Sequence, residues 1–374
     1  MQADEPVRRF TFPSGRPGWV VTRYDDVRAV LADPRFSSQR QLGTNPIRVL
    51  PPEAEDMIDQ PGMFLTMDPP DHTRYRRLLT GQFTVRRMNA LVPQIERIVA
   101  EHLDAMERSP RPVDLVQAFA LPIPSMVICE LLGVPYSDRS DFQRRTATLL
   151  SLGVEWETVR RTVDELNAYM LELVTAKRRQ PADDLLSGLI HGGGELTDEE
   201  LVNIGNLLLL AGHETTANML GLSTLTLLQH PDQLAALRAD PALLDRAVEE
   251  LLRYLSIIQF GVSRVATVDV EVGGRLVRAG DPVVAAVMVA NRDPERFADP
   301  DRLDLTRAYS PHLGFGHGVH QCLGQQLARV EMKVGLSALL TRFPTLRLAV
   351  PLDQVRMRDD MAIYGVHELP VTWD

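Results

Sequence analysis

Thr197 and Glu200 form a Ser/Thr-x-x-Glu capping box, and the chain then runs to Pro231 without another proline. At 1.5 Å per residue a helix over this stretch spans roughly 48 Å, about the width of a domain. Such a helix has to pass through the core, and the other elements must pack around it. Its middle is oddly chosen for packing. After Leu207 to Leu210 comes Ala211-Gly212-His213-Glu214-Thr215-Thr216. Glycine costs about 1 kcal/mol against alanine inside a helix, and a carboxylate beside two β-branched hydroxyl residues fills a core poorly. Taken alone, the stretch reads as a solvated patch, a kink, or a site.

Around that helix the pattern is mostly helical. Ile95, Ile98, Val99, Leu103 and Met106 make one apolar stripe at helical spacing. A helix from about Pro124 to Leu132 carries Cys129 and stops at Gly133, with Pro135 beyond. Residues 156–178 form a long amphipathic helix, and Gly192-Gly193-Gly194 breaks the chain into a surface loop. Strand signals gather towards both ends: Phe10-Thr11-Phe12 and Trp19 to Thr22 around a Ser14-Gly15 turn, then Val268 to Val272, Leu276 to Arg278 and Val283 to Val289. Asp25 or Asp26 is expected to cap a short helix that ends at Pro34. Residues 39–70 lack periodicity and read as a mobile lid. The expected fold class is mainly α with small β-sheets (α+β), as one domain over residues 1–374, since no repeat or linker interrupts it.

Bulk properties exclude several functions. A formal net charge of -10 argues against nucleic-acid binding, which needs Lys and Arg to neutralise phosphates. Two cysteines far apart give no disulfide framework and no C-x-x-C metal spacing. Apolar runs are too short for a membrane span, which needs roughly twenty residues. The first residues lack the basic and apolar regions of a secretory signal, so a cytoplasmic protein is expected.

The strongest local signal is Phe315-Gly316-His317-Gly318-Val319-His320-Gln321-Cys322-Leu323-Gly324. A lone cysteine is more often an inert core residue than a ligand. Here two glycines let the loop approach a flat group closely, and Leu327, Val330 and Val334 begin a helical stripe just after it. Cys322 is therefore expected at a helix N-terminus, where the dipole and free N–H groups lower a thiol pKa and favour a thiolate.

This segment carries the complete F-G-x-G-x-H-x-C-x-G pattern and resembles the haem-binding loop of the cytochrome P-450 family, soluble and bacterial in style. The resemblance covers essentially the whole chain and implies the mainly helical P-450 fold, with the long central helix over haem b (iron protoporphyrin IX). By the same resemblance Cys322 is the axial iron ligand, Phe315 packs on the porphyrin and His320 bonds a propionate, with Gly316 and Gly324 framing the loop. A thiolate ligand pushes electron density to the iron and favours O–O cleavage. Ala211-Gly212-His213-Glu214-Thr215-Thr216 resembles the family's oxygen-binding groove. There Ala211 and Gly212 would border dioxygen, the helix would open at Gly212, and Glu214 and Thr215 would relay protons.

Further positions follow from the resemblance. His72 and Arg76, after Asp68-Pro69-Pro70, and Arg264 in Val262-Ser263-Arg264-Val265 would reach the propionates. Glu250 and Arg253 of an E-x-x-R pattern would join Arg296, of Pro294-Glu295-Arg296-Phe297, in a buried ionic network. Substrate would be shaped by the irregular segment from Met57 to Met67 and by Leu207, Leu210, Ala211, Phe260 and Ile363. Arg74, Arg77, Arg86 and Arg87 form a basic patch that would receive an acidic ferredoxin, itself served by a ferredoxin reductase. The implied activity is O2-dependent insertion of one oxygen atom into a lipophilic small molecule, and the chain most resembles actinobacterial enzymes that tailor polyketides and other natural products. Peroxide-driven oxidation, aryl coupling and a non-catalytic haem sensor are the alternatives; the acid–alcohol pair speaks against the sensor.

Overall fold

The computed structural model describes residues 5–49, 51, 54 and 60–374. Met57, the start of the expected pocket segment, and the first four residues lie outside them.

The central helix runs Asp198–Gln229. Both capping-box bonds are present: the Thr197 N–H donates to Glu200 Oε2 at 2.7 Å, and the Glu200 N–H donates to Thr197 Oγ1 at 3.2 Å. From Glu200 to Leu227 it is buried on nearly every side, as expected of a helix enclosed by others. Helices Pro122–Leu132, Trp156–Arg179 and Gln325–Arg342 pack directly against it. Gly133 ends the first of these at φ 75°, a left-handed conformation that costs glycine nothing.

Strands β1 (Val7–Thr11) and β2 (Pro17–Val21) form the expected antiparallel hairpin. They continue into a five-stranded sheet with β3 (Phe36–Ser37), β5 (Val262–Ala266) and β8 (Pro282–Ala285), in the order β1-β2-β8-β5-β3. The two ends of the chain's β-signal thus meet in one sheet, which sits over its own apolar core of Val7, Val21, Val27, Val30, Phe36 and Val283. Smaller sheets are built from β4 (Val113–Asp114), β10 (Pro370–Thr372) and β9 (Arg347–Leu348), and from the hairpin β6 (Val270–Val272) with β7 (Arg275–Val277).

Two local expectations differ from the structure. The Val283 to Val289 run is strand only to Ala285, and Val287–Ala290 turns helical. An apolar run cannot by itself separate a buried strand from a buried helix turn. Helix Tyr24–Ala32 has Asp25 and Asp26 in its first turn but no side-chain cap of its own. Instead the Tyr24 N–H donates to Asp293 Oδ2 at 2.8 Å, a cap supplied from a distant part of the sequence.

Candidate active site

The glycine–cysteine loop is held by short backbone bonds. The Gly316 N–H donates to Leu313 O at 2.8 Å and the Cys322 N–H to Phe315 O at 2.9 Å. Gly316 and Gly318 have φ of 70° and 76°. At Gly318 a Cβ would also stand 2.5 Å from Leu31 O, so the loop lies hard against the end of helix Tyr24–Ala32. The following helix begins at Gln325, three residues past Cys322. Cys322 keeps accessible surface, yet protein surrounds it closely enough that burial pushes its thiol up. The N–H groups of Gly324 and Gln325 and the charges of Arg76 and Arg329 pull it back only in part. The expected lowering of this thiol by its helix is therefore reversed: burial outweighs the dipole, and thiolate character would have to come from a bound metal ion.

Beside Cys322 two arginines and two histidines converge from three parts of the chain. His72 and Arg76 come from helix Asp71–Thr80, Arg264 from β5 and His320 from the loop. The His72 and His320 rings are 4.1 Å apart, and Arg76 Nη2 donates to Gln321 O at 2.5 Å. Burial, then the charges of Arg264, His72 and Arg76, drives His320 down to about 3; burial drives Arg264 down to about 10. His72 is 2% exposed and neither ring nitrogen has a partner. Such a crowd of mutually repelling donors, two of them buried, fits a group that brings carboxylates with it, as the two propionates of haem would. The Met67 backbone lies close enough to His320 to oppose the lowering of that ring, though it is the weakest of the influences on it.

On the central helix, Leu207, Leu210, Ala211 and Thr215 fall on one stripe, and Thr215 Oγ1 donates to Ala211 O at 2.8 Å. Glu214 turns to the neighbouring face and is buried. Its Oε2 accepts from Arg358 Nη1 at 2.9 Å, and its Oε1 lies 3.6 Å from His213 Nε2. Burial raises the Glu214 carboxyl, but His213 and Arg358 outweigh it and leave it below the ordinary range. Helix structure is continuous through Gly212. The glycine answers a packing demand, since a Cβ there would stand 2.7 Å from Ile128 Cδ1 on the neighbouring helix. The expected opening of the helix at Gly212 is accordingly not seen.

The buried ionic network needs one correction. Glu250 and Arg253 form a two-bond fork, with both contacts at 2.8 Å, but the third member is Arg307, whose Nε reaches Glu250 at 3.1 and 3.2 Å. Arg296 is exposed and stacks on the Tyr24 ring at 5.1 Å. Arg253 Nη1 also donates to Asn291 O, while Asn291 Oδ1 accepts the Leu313 N–H at 2.7 Å. Asn291 thereby links the network to the cysteine loop. A second brace is Glu249, bonded by His312 at 3.2 Å and Arg329 at 2.6 and 3.0 Å; Arg329 lies 4.6 Å over the Phe315 ring. Neither Asn291 nor Glu249 stood out in the sequence, where a polar residue inside an apolar run was the one available signal.

These residues form a loop, a cation cluster and a central-helix acid in a helix-rich frame with small sheets, and known proteins share that frame. The family description "Cytochrome P450" matches residues 148–371. Cytochrome P450-SU2 of Streptomyces griseolus is 50% identical, over 99% of this chain and 91% of its own length. The chain belongs to the cytochrome P450 family. Pentalenic acid synthase of Streptomyces avermitilis is 47% identical over all of this chain and 92% of its own. Among solved structures, CYP105P1 in complex with filipin I superposes with a TM-score of 0.93 at 47% identity, covering all of this chain and 94% of that one. The protein is thus a P450 monooxygenase with the P450 fold, and P450s bind haem iron. No helix among the described residues is long and apolar enough to cross a membrane.

The basic patch expected for a P450 redox partner is smaller than its four arginines suggest. Arg74 is bound to Glu200, which also accepts from the Tyr75 hydroxyl at 2.7 Å, and Arg87 donates to Gln82. Arg77 and Arg86 stay exposed. Of the expected pocket residues, Phe260 is 38% exposed, just before β5. Ile363 lies in the C-terminal turn, whose Tyr364 N–H donates to Ile257 O at 3.1 Å.

Proposed function

We propose that the chain holds haem b through Cys322 and inserts one atom of O2 into a lipophilic small molecule, a secondary metabolite of the polyketide or macrolide kind, as a single domain spanning residues 1–374 in the cytoplasm. The observation that carries this is the cluster of His72, Arg76, Arg264 and His320 beside Cys322, with His72 and Arg264 buried, Arg76 and His320 half-buried, and neither ring nitrogen of His72 bonded to any described residue. His72, Arg76, Arg264 and His320 would hold the two propionates, Phe315 would border the ring, and Gly316 and Gly324 would leave room for it. When bound, a thiolate-ligated haem supplies O–O cleavage.

The protein's own residues supply the rest. Thr215 Oγ1 donates to Ala211 O, on the stripe with Leu207 and Leu210, where its hydroxyl can pass a proton towards the reaction side. Glu214, held one face away by Arg358, is the acid behind it. Met67, Leu207, Leu210, Ala211, Phe260 and Ile363 would form mostly apolar walls, which suits a lipophilic substrate. Electrons would come from a ferredoxin and its reductase, docking where Arg77 and Arg86 are exposed on helices next to the cysteine loop. The relatives support the substrate class: one is named pentalenic acid synthase, and one solved structure holds filipin I.

The test is the ferrous-carbonyl minus ferrous difference spectrum of purified protein and of Cys322→Ser. A strongly red-shifted Soret band in the wild type, lost in the variant, is expected. A histidine-type carbonyl band in both would sink the assignment of Cys322.

A further inference from the structure

His213 precedes the acid of the central helix and is fully enclosed, with 0% of its surface exposed. Its ring is met by helix Arg139–Leu150. Thr146 of that helix, itself 1% exposed, places Oγ1 2.9 Å from His213 Nε2, and the Phe142 ring stands edge-on to the imidazole at 5.9 Å. The other ring nitrogen, Nδ1, lies 2.9 Å from Leu209 O, and 3.6 Å separates Nε2 from Glu214 Oε1.

The protons on this contact follow from the partners. A carbonyl oxygen only accepts, so His213 Nδ1 carries a proton. Thr146 has one hydroxyl proton and three acceptors in reach: His213 Nε2, Phe142 O at 2.9 Å and Gln143 O at 3.1 Å. Given to Nε2, that proton serves a neutral imidazole. Given to either carbonyl, it leaves the Thr146 oxygen free to accept from an Nε2–H, so an imidazolium is bonded at both nitrogens as well. A buried cation beside a buried carboxylate is tolerated when its remaining N–H groups are bonded, and Thr146 meets that condition.

The same helix reaches the second cation of Glu214. At its end Leu150 O accepts from the Ala362 N–H at 2.8 Å, and just beyond it the Leu152 N–H donates to Asp360 O at 2.9 Å. Between them Ser151 pairs with Met361. This places the C-terminal turn next to Arg358, whose Nη1 donates to Glu214 Oε2. His213 and Arg358 are the charged side chains that act on Glu214, one held by helix Arg139–Leu150 directly and the other through that turn.

We propose that Thr146 and His213 are positioning residues for Glu214: the Thr146 hydroxyl keeps the His213 ring bonded in its charged form, and the charged ring sets how readily Glu214 takes up the proton it relays. This deepens the reading of Glu214 as the acid behind Thr215 and rests on it. Without the hydroxyl the imidazolium loses an acceptor and gives up its proton more easily, and Glu214, with less positive charge beside it, protonates at higher pH.

The experiment uses haem-loaded wild type, Thr146→Val, Thr146→Ser, His213→Gln and Glu214→Gln. Infrared difference spectra are recorded as the pH is lowered from 7, over the range in which circular dichroism shows each sample folded. The protonated-carboxyl band missing from Glu214→Gln is the band of Glu214. Valine keeps the shape of threonine and drops the hydroxyl, whereas serine keeps the hydroxyl and drops the methyl. In Thr146→Val the band is expected about half to one pH unit higher than in wild type, the worth of a charge-assisted hydrogen bond over a neutral one. His213→Gln should move it further, and Thr146→Ser should leave it at the wild-type pH. A band that does not move in Thr146→Val, that moves as far in Thr146→Ser, or that appears in no sample overturns the proposal. If His213→Gln does not fold, the two Thr146 variants decide. The relay reading is tested apart from this, by NADH-driven oxygen consumption with a ferredoxin and its reductase in H2O and D2O. Glu214→Gln matching wild type there would defeat that reading, while the infrared titration by itself decides the proposal.

Discussion

Arg358 Nη1 lies 2.9 Å from Glu214 Oε2, which ties the C-terminal hairpin to the middle of the central helix. The same nitrogen donates to Asn218 Oδ1 at 3.0 Å, and Asn218 Nδ2 donates to Glu214 O at 2.7 Å. Gly365 makes the junction possible, because a Cβ there would fall 1.7 Å from Asn218 Oδ1. Removing one partner of a buried pair leaves an uncompensated charge, at about 3–5 kcal/mol. Arg358→Gln is therefore expected to lose about that much in urea denaturation, and Glu214→Gln/Arg358→Gln clearly less. A single variant within 1 kcal/mol of wild type would show that the pair is not closed in solution.

The network under the cysteine loop gives a sharper contrast. Arg307→Ala leaves Glu250, which is 4% exposed, short of one of its two cations and should cost roughly 3 kcal/mol or more. Arg296→Ala removes an exposed side chain stacked on Tyr24 and should stay within about 1 kcal/mol. Chemical denaturation of both variants decides which arginine belongs to the network, and the reverse order would restore Arg296.

Gly212→Ala places a methyl 2.7 Å from Ile128 Cδ1, and overpacking of this kind costs about 1–3 kcal/mol. Trimming the neighbour with Ile128→Val should recover part of the loss. If the double variant is no more stable than Gly212→Ala, the glycine is there for another reason than helix packing.

Glu249 carries a pH signature. Burial raises its carboxyl, but His312 and Arg329 more than compensate and hold it at about 2, against an ordinary 4.5. Because the folded value lies below the unfolded one, the stabilisation is complete above about pH 5 and is lost as pH falls towards 2. At neutral pH it amounts to about 3 kcal/mol. The stability difference between wild type and Glu249→Gln should shrink across that window, and a constant difference would remove Glu249 as the acid-sensitive brace.

Much of this was legible in the sequence because it rests on local rules. A capping box and an absence of proline announce a long helix whatever surrounds it, and the hairpin from Val7 to Val21 and the stop at Gly133 are equally local. The glycine–cysteine pattern works in the same way, since loop conformation and metal chemistry restrict those positions to few residue types.

Tertiary structure decided the rest, because partners in a network are chosen by distance in space. Nothing near Glu250 in the sequence separates Arg307 from Arg296, since both are arginines in one irregular stretch. Arg358 reaches Glu214 across 144 positions, and Asp293 caps a helix 269 positions away. The Cys322 thiol shows the same limit from the other side: its place before a helix was readable, but how closely protein surrounds it, which sets the sign of its pKa shift, comes from the packing of the whole chain.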